Sequence, residues 1–180
     1  MSSSQQNEKL STDESIEKYL EARRNSSSNE DEHCLEYAGE INGVTYLNDS
    51  KSTRVTRTKY SLESIDAPVI LILGGNDADN DYVILSQMVR DKVKAIVYLG
   101  ANPDKVLCHY MEEYLFFIKV SSLREAVKIS GLYSAKGEVV LFSPACPDDK
   151  EFDNYKSRGK EFKKLLTEVQ NTSGHKPEQQ

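Results

Sequence analysis

Four short runs of almost uninterrupted hydrophobic residues are the feature that most constrains the fold of this chain. They occupy residues 69–73, 95–99, 115–120 and 138–142. Runs of this kind are typical of strands that are buried on both faces of a parallel sheet. Between them, apolar residues recur at helical spacing, as at Leu123, Ala126 and Val127. The sequence therefore predicts an α/β fold: a Rossmann-like, mostly parallel sheet of about six strands in a three-layer sandwich.

The residues before these runs predict an N-terminal β-hairpin. Residues 44–47 are rich in β-branched and aromatic residues, residues 35–39 contain Tyr37, and the turn-forming pair Asn42-Gly43 separates the two stretches. Residues 1–32 differ, because they contain eight acidic and four basic residues. We expect a flexible acidic segment with one short helix at 1–32, a folded domain at 33–170 and a disordered tail at 171–180. Within the segment, Ile16, Tyr19 and Leu20 form a thin apolar stripe that could dock on a partner or on its own domain.

The charge and the hydropathy of the chain argue against nucleic-acid-binding and membrane proteins. The net charge of −6 and the pI near 5.2 give no basic footprint for binding nucleic acid. Because no apolar run approaches the roughly 18 residues that a membrane helix needs, we expect a cytoplasmic protein with no membrane contact. The three cysteines lack the spacing of a zinc site, and the three histidines are scattered, so the sequence predicts neither a metal nor a catalytic triad.

Three polar loops follow predicted strands, at residues 48–51, 74–81 and 143–150. Ligands of open parallel sheets bind at the carboxyl ends of strands, so function should be sought there. Two interpretations of the first loop stay open. Asp49 or Ser50 could cap a following helix, which the spacing favours, or Asp49 and Lys51 could hold a hydroxyl and a phosphate.

The second loop contains Asp77, Asp79 and Asp81, a spacing that begins like a calcium loop. Tyr82 stands where that motif requires a turn glycine, so the sequence does not favour a metal there. Asn80 or Asp81 is instead predicted to cap the helix that follows.

Several motifs, taken in order and at their spacing, resemble the C-terminal domain of the Mur ligase family, most closely its D-glutamate-adding branch, MurD. They lie in residues 40–53 (EINGVTYLNDSKST), 69–75, 93–100, 141–146 and 152–159. The resemblance covers about residues 33–169 and implies a Rossmann-like sheet and a link to peptidoglycan precursor synthesis. It also implies a nearby central P-loop domain that makes an acyl phosphate from ATP, over which the C-terminal domain closes.

The resemblance assigns site residues one by one. Asp49 and Lys51 match the nucleotide side of the family's site, and Thr53 and Tyr155 match the amino-acid side. Three positions depart from the family pattern: Cys34 replaces an arginine, Ala78 a lysine and Asp148 a serine. Because these changes remove cations and add an anion, the resemblance implies a weakened grip on the carboxylates of D-glutamate.

The sequence printed above contains no GxxxxGK followed by Ser or Thr, the loop that cradles nucleotide phosphates. We therefore expect a free-standing domain that is non-catalytic alone, a pseudoenzyme that acts as a binding or regulatory module in peptidoglycan precursor synthesis. It would bind no cofactor alone; its partner would be an unidentified protein such as a cell-wall ligase, with a nucleotide or amino acid as ligand. The alternative is one part of an ATP-dependent ligase whose ATPase domain is on another chain, in which case ATP and Mg²⁺ are implied. A third interpretation is a packed scaffold without a ligand.

Overall fold

The computed structural model describes residues 32–75, 80–110, 116–147 and 151–173. The predicted N-terminal helix with Ile16, Tyr19 and Leu20 lies outside these ranges. The strands are β1 (Glu36–Ile41), β2 (Val44–Asn48), β3 (Val69–Leu73), β4 (Val93–Leu99), β5 (Phe116–Val120) and β6 (Val139–Phe142). The helices are α1 (Val55–Glu63), α2 (Ser86–Lys92), α3 (Asp104–Tyr110), α4 (Leu123–Tyr133) and α5 (Tyr155–Ser173), and a 3₁₀ turn, Tyr82–Leu85, precedes α2.

The six strands form one mixed sheet in the order β1-β2-β6-β3-β4-β5. The neighbouring strands β2, β6, β3, β4 and β5 pair in parallel with one another. Strand β1 pairs with β2 in the antiparallel direction. The turn between β1 and β2 has positive φ at both central residues, 54° at Asn42 and 77° at Gly43, which is the conformation of a type I′ hairpin turn. The predicted hairpin and mostly parallel sheet are therefore confirmed.

The core lies in two layers, one on each face of the sheet. In β3, Val69, Leu71 and Leu73 face one layer, whereas Ile70 and Ile72 face the other. Helices α1, α2 and α3 contribute to the first layer, and α4 and α5 contribute to the second. The arrangement is the predicted three-layer sandwich, and the alternation of strand side chains explains why the buried strands need apolar residues at every position.

Three details differ from the sequence predictions. Strand β5 is an edge strand and Phe116 is 61% exposed, so this run is not buried on both faces as expected. Helix α5 continues to Ser173, so residues 171–173 are helical although they were predicted to begin the tail. Helix α1 begins only at Val55; its N-cap residue is Arg54, which makes no side-chain capping bond.

The described ranges contain no helix that is both long and apolar enough to cross a membrane.

Candidate functional site at the carboxyl edge of the sheet

The described parts of the three polar loops predicted from the sequence lie side by side. They follow β2, β3 and β6, and β6 is paired with both of the other strands. Backbone hydrogen bonds join the loops: Asp49 N–H donates to the carbonyl of Phe142 (2.9 Å), and Gly74 N–H donates to the carbonyl of Pro144 (3.0 Å). The described parts of the loops are therefore joined at the carboxyl edge, where ligands of parallel sheets bind.

Asp49 is the centre of a buried hydrogen-bond network beneath this surface. Its Oδ1 accepts from the backbone N–H of Leu35 (3.1 Å). Its Oδ2 accepts from three hydroxyl groups, those of Ser52 (2.6 Å), Ser61 (2.6 Å) and Ser143 (2.8 Å). The side chain thus connects the start of β1, the loop after β2, helix α1 and the end of β6.

The network bears on both interpretations of Asp49, as a helix cap and as a ligand contact. The residue is 1% exposed and both carboxylate oxygens are occupied by donors of its own domain. Burial raises the pKa of the Asp49 carboxyl, although the hydrogen bonds from Ser52, Ser61, Ser143 and Leu35 act in the opposite direction. Asp49 does not cap helix α1, so the favoured helix-cap interpretation is wrong. Its place is below the loop, where it fixes the backbone that carries Lys51.

The first turns of α5 hold the same loop from the other side. Arg158 is 1% exposed, and its Nη2 donates to the carbonyls of Ser50 (2.9 Å) and Cys146 (3.0 Å). Gly159 is also buried, and a Cβ added there would lie inside van der Waals contact of His33 Nδ1 and Ser50 Oγ. The glycine allows the helix to pack directly on the loop.

His33 closes the network where the described chain begins. Its Nδ1 lies 2.8 Å from the amide nitrogen of Asn48, whose Oδ1 accepts from the N–H of Ser50 (3.3 Å). Because that orientation makes the Asn48 nitrogen the donor, Nδ1 accepts and the ring proton is on Nε2. Among the described residues, Nε2 has no hydrogen-bond partner, and the Glu32 carboxylate lies 3.5 Å from it. The His33 ring is therefore neutral in this arrangement and packs against the loop after β2.

This histidine predicts a pH dependence of stability. Burial lowers the pKa of His33, although the nearby Glu32 and Glu36 carboxylates raise it. The unfolded chain binds this proton near pH 6.5, whereas the folded chain binds it only at lower pH. The histidine's contribution is therefore complete above about pH 6.5 and is lost as the pH falls below that value.

The measurement is urea unfolding of the native chain and of His33→Asn between pH 7.5 and 5. Asparagine tolerates the positive φ of 66° at this position but does not titrate. The native chain should lose stability more steeply than the variant as the pH falls. Parallel curves would contradict the assignment.

Lys51 and Thr53 lie on the loop after β2, and Tyr155, the first residue of α5, contacts the same loop. Lys51 and Thr53 are half-buried, and the Lys51 N–H donates to the carbonyl of His33 (3.0 Å). The Ser50 hydroxyl donates to the carbonyl of Tyr155 (3.0 Å), whose ring meets the His33 ring edge-on at 6.2 Å. Their positions fit a ligand site, and their roles remain predictions.

Of the three altered positions, only Cys34 is described. Its half-buried thiol lies 4.0 Å from Nη2 of Arg57, so a guanidinium from α1 stands beside the position where the family pattern has an arginine. Ala78 and Asp148 lie outside the described residues.

The loop after β3 is tied to the loop after β6. The Asn80 amide donates to the carbonyl of Ala145 (3.0 Å), and Asp81 accepts from the N–H of Val83 (3.1 Å). Asp81 is thus the N-cap of the 3₁₀ turn, which confirms the predicted capping role. Within the described ranges, no group of three His, Cys, Asp or Glu side chains is arranged to hold a metal.

Sequence reasoning missed the residues that build the network. Ser61 had no distinguishing signal, because a serine in a helix is common and its partner is 12 residues away. Arg158 and Gly159 occur in the matched stretch 152–159, but their burial follows only from how α5 packs on the loop.

The fold and this edge define a domain of the kind found in the Mur ligases. No protein-family model matches the chain. The fold is similar to that of part of UDP-N-acetylmuramate–alanine ligase MurC from Thermotoga maritima, with a TM-score of 0.52 and 10% sequence identity. The aligned region covers 76% of this chain and 30% of that chain. At this identity the match concerns the fold alone.

Sequence relatives are more specific. The chain is 40% identical over 137 residues to UDP-N-acetylmuramoylalanine–D-glutamate ligase of Cytophaga hutchinsonii and 42% identical over 135 residues to that of Christiangramia forsetii. These alignments cover 76% and 75% of this chain. The aligned residues are therefore homologous to one part of the Mur ligases, and both of these relatives are named as D-glutamate ligases, MurD. The chain spans 30% of the length of these two relatives.

Proposed function

We propose that this chain is a Mur-ligase-type binding module of peptidoglycan precursor synthesis that holds an anionic ligand at the carboxyl edge and does not catalyse ligation alone. The observation that carries the proposal is the placement of Lys51 and Thr53. Both lie on a partly exposed loop whose backbone is fixed from within by Asp49 and Arg158. A loop that is already ordered loses little conformational entropy when it binds.

The charges of this loop favour a phosphate-bearing ligand. Lys51 is followed by Arg54 and Arg57, both of which are exposed. Ammonium and guanidinium groups form charge-assisted hydrogen bonds with phosphate oxygens. The relatives are named for a UDP-linked substrate and D-glutamate, so a nucleotide such as ADP and the UDP-linked precursor are the first ligands to test.

The test compares two single lysine variants, each of which removes one positive charge. Lys51→Ala should weaken ADP binding about tenfold, since it removes one charge-assisted contact with a phosphate. Lys59→Ala, on helix α1, is the matched control and should change affinity less than about twofold. Titration calorimetry at fixed ionic strength measures both, and equal effects of the two substitutions would contradict a site at Lys51.

A second candidate function is one component of an ATP-dependent ligase whose ATPase domain lies elsewhere. The accessible positions of Lys51 and Thr53 support it, because the resemblance places both at the reacting ligands. ATP and Mg²⁺ would then be handled largely by the other component. The two candidates differ in one result: phosphate release when this chain is mixed with a separately expressed Mur central domain, ATP, a UDP-N-acetylmuramoyl precursor whose carboxyl group accepts the phosphate, and candidate amino acids. Release that depends on this chain would favour the ligase component, whereas binding without release favours the module.

A further inference from the structure

The described chain begins among cations of the carboxyl edge. The Glu32 carboxylate lies 3.2 Å from Nζ of Lys163 on α5. Two residues later, the Cys34 thiol lies 4.0 Å from the guanidinium of Arg57 on α1. Glu32 and Cys34, at the start of the described chain, therefore lie next to basic side chains of α5 and α1.

Exposed basic side chains stand on both sides of the start of the described chain. Arg54 and Arg57 lie at the start of α1, and Lys156 and Lys160 lie in the first turns of α5. The charge of Lys160 reaches Glu32, because it helps to lower the pKa of that carboxyl. We refer to Arg54, Arg57, Lys156 and Lys160 as the cationic rim.

The preceding segment has the opposite charge. Residues 13–31 contain six acidic and three basic residues, and two of the acids, Glu30 and Asp31, directly precede Glu32. The 11 peptide units from Glu32 back to Glu21 can span up to about 36 Å when extended. This reach exceeds the length of two helical turns, about 11 Å, so the acids at positions 13–21 can reach either side of the rim.

We propose that the acidic segment 13–31 docks on the cationic rim of its own domain and competes there with the anionic ligand. The competition rests on the proposed function, whereas the docking does not. Each exposed ion pair contributes little, but a tether raises the effective concentration of the segment to the millimolar range. The segment would therefore act as an internal competitor that a tight-binding ligand displaces.

The test uses the full chain and two quadruple variants with the same change in charge. One variant, D13N/E14Q/E17Q/E21Q, neutralises the distal acids of the segment. The control, E40Q/E63Q/D66N/D91N, neutralises four exposed carboxylates near the opposite end of the sheet. Amide chemical shifts of ¹⁵N-labelled protein are compared at low salt, and pyrophosphate affinity is measured for each chain.

Docking predicts that the first variant changes the amide shifts of residues 51–57 and 156–160, and that about 1 M NaCl produces similar changes in the native chain, because the Debye length is then about 3 Å. The control should leave these amides unchanged. Pyrophosphate should bind the first variant about threefold to tenfold more tightly than the native chain, and the control variant within twofold.

The outcomes separate this inference from the proposed function. If the first variant leaves the rim amides unchanged, the docking inference is overturned, even if pyrophosphate and ADP bind the loop. If the amides change but neither anion binds any of the three chains, docking stands, and both the competition and the proposed function are overturned.

Discussion

Replacing Asp49 by alanine is expected to lower the free energy of unfolding by about 3–5 kcal/mol, measured by urea denaturation at pH 7. The substitution leaves the Leu35 N–H and the hydroxyls of Ser52, Ser61 and Ser143 without their common acceptor in the interior. A buried donor without a partner costs about 1–3 kcal/mol, and rotation of the hydroxyls offsets part of the sum.

Two further variants make this result specific. Asp49→Asn keeps one carbonyl oxygen and should fall between alanine and the native chain. Asp66→Ala removes a carboxylate whose side chain is 78% exposed and should change stability by less than about 0.5 kcal/mol. If Asp49→Ala is as stable as the native chain and loses only ligand affinity, Asp49 is a ligand contact and the network described above is not what fixes the loop.

Replacing Gly159 by alanine is expected to destabilise the protein by about 2–3 kcal/mol. The added Cβ would overlap His33 Nδ1 and Ser50 Oγ, which are held in the buried network. In an ordinary helix interior the same substitution stabilises by about 1 kcal/mol, so the predicted change has the opposite sign to that of helix propensity.

Thermal and urea unfolding of Gly159→Ala, with Thr167→Ala on the exposed side of the same helix as control, provide the measurement. The control should change stability by less than about 0.5 kcal/mol. An increase in stability for Gly159→Ala would show that α5 does not pack closely on the Ser50 loop.

The Asp49 network changes what the family resemblance can support. If Asp49 serves the fold, its presence does not distinguish a ligase component from a non-catalytic module, because either would need it. Lys51 and Thr53 differ, since neither is fully buried. The functional question is therefore concentrated on these two residues.

The sequence predicted the architecture because its strongest signals are local. The run at Val69–Leu73 is a strand with those bounds, and Asn42-Gly43 is the hairpin turn. The edge position of β5 was not predictable in this way, since the run at 115–120 is almost as apolar as those of the central strands, with Lys119 as its one charged residue. Whether a strand lies at the edge or in the centre of the sheet is set by which strands pair with it, and this pairing depends on the topology of the whole sheet.

The site was predicted in place but not in detail. The carboxyl-end rule located the three loops, and the structure shows them adjacent because β6 inserts between β2 and β3. The role of Asp49 could not be predicted, because its partners Ser61 and Ser143 are 12 and 94 residues away. A local cap was favoured instead, since capping requires only neighbours in sequence.

The most direct test of the proposed anion-binding site is amide chemical-shift mapping of the full chain with ADP, D-glutamate and a UDP-N-acetylmuramoyl precursor added in turn. We expect saturable shifts at residues 50–57 with at least one phosphate-bearing ligand, weak or no response to D-glutamate, and no phosphate release from ATP by this chain alone. Saturable, tight D-glutamate binding, or the absence of any response in the loop after β2, would contradict the proposal.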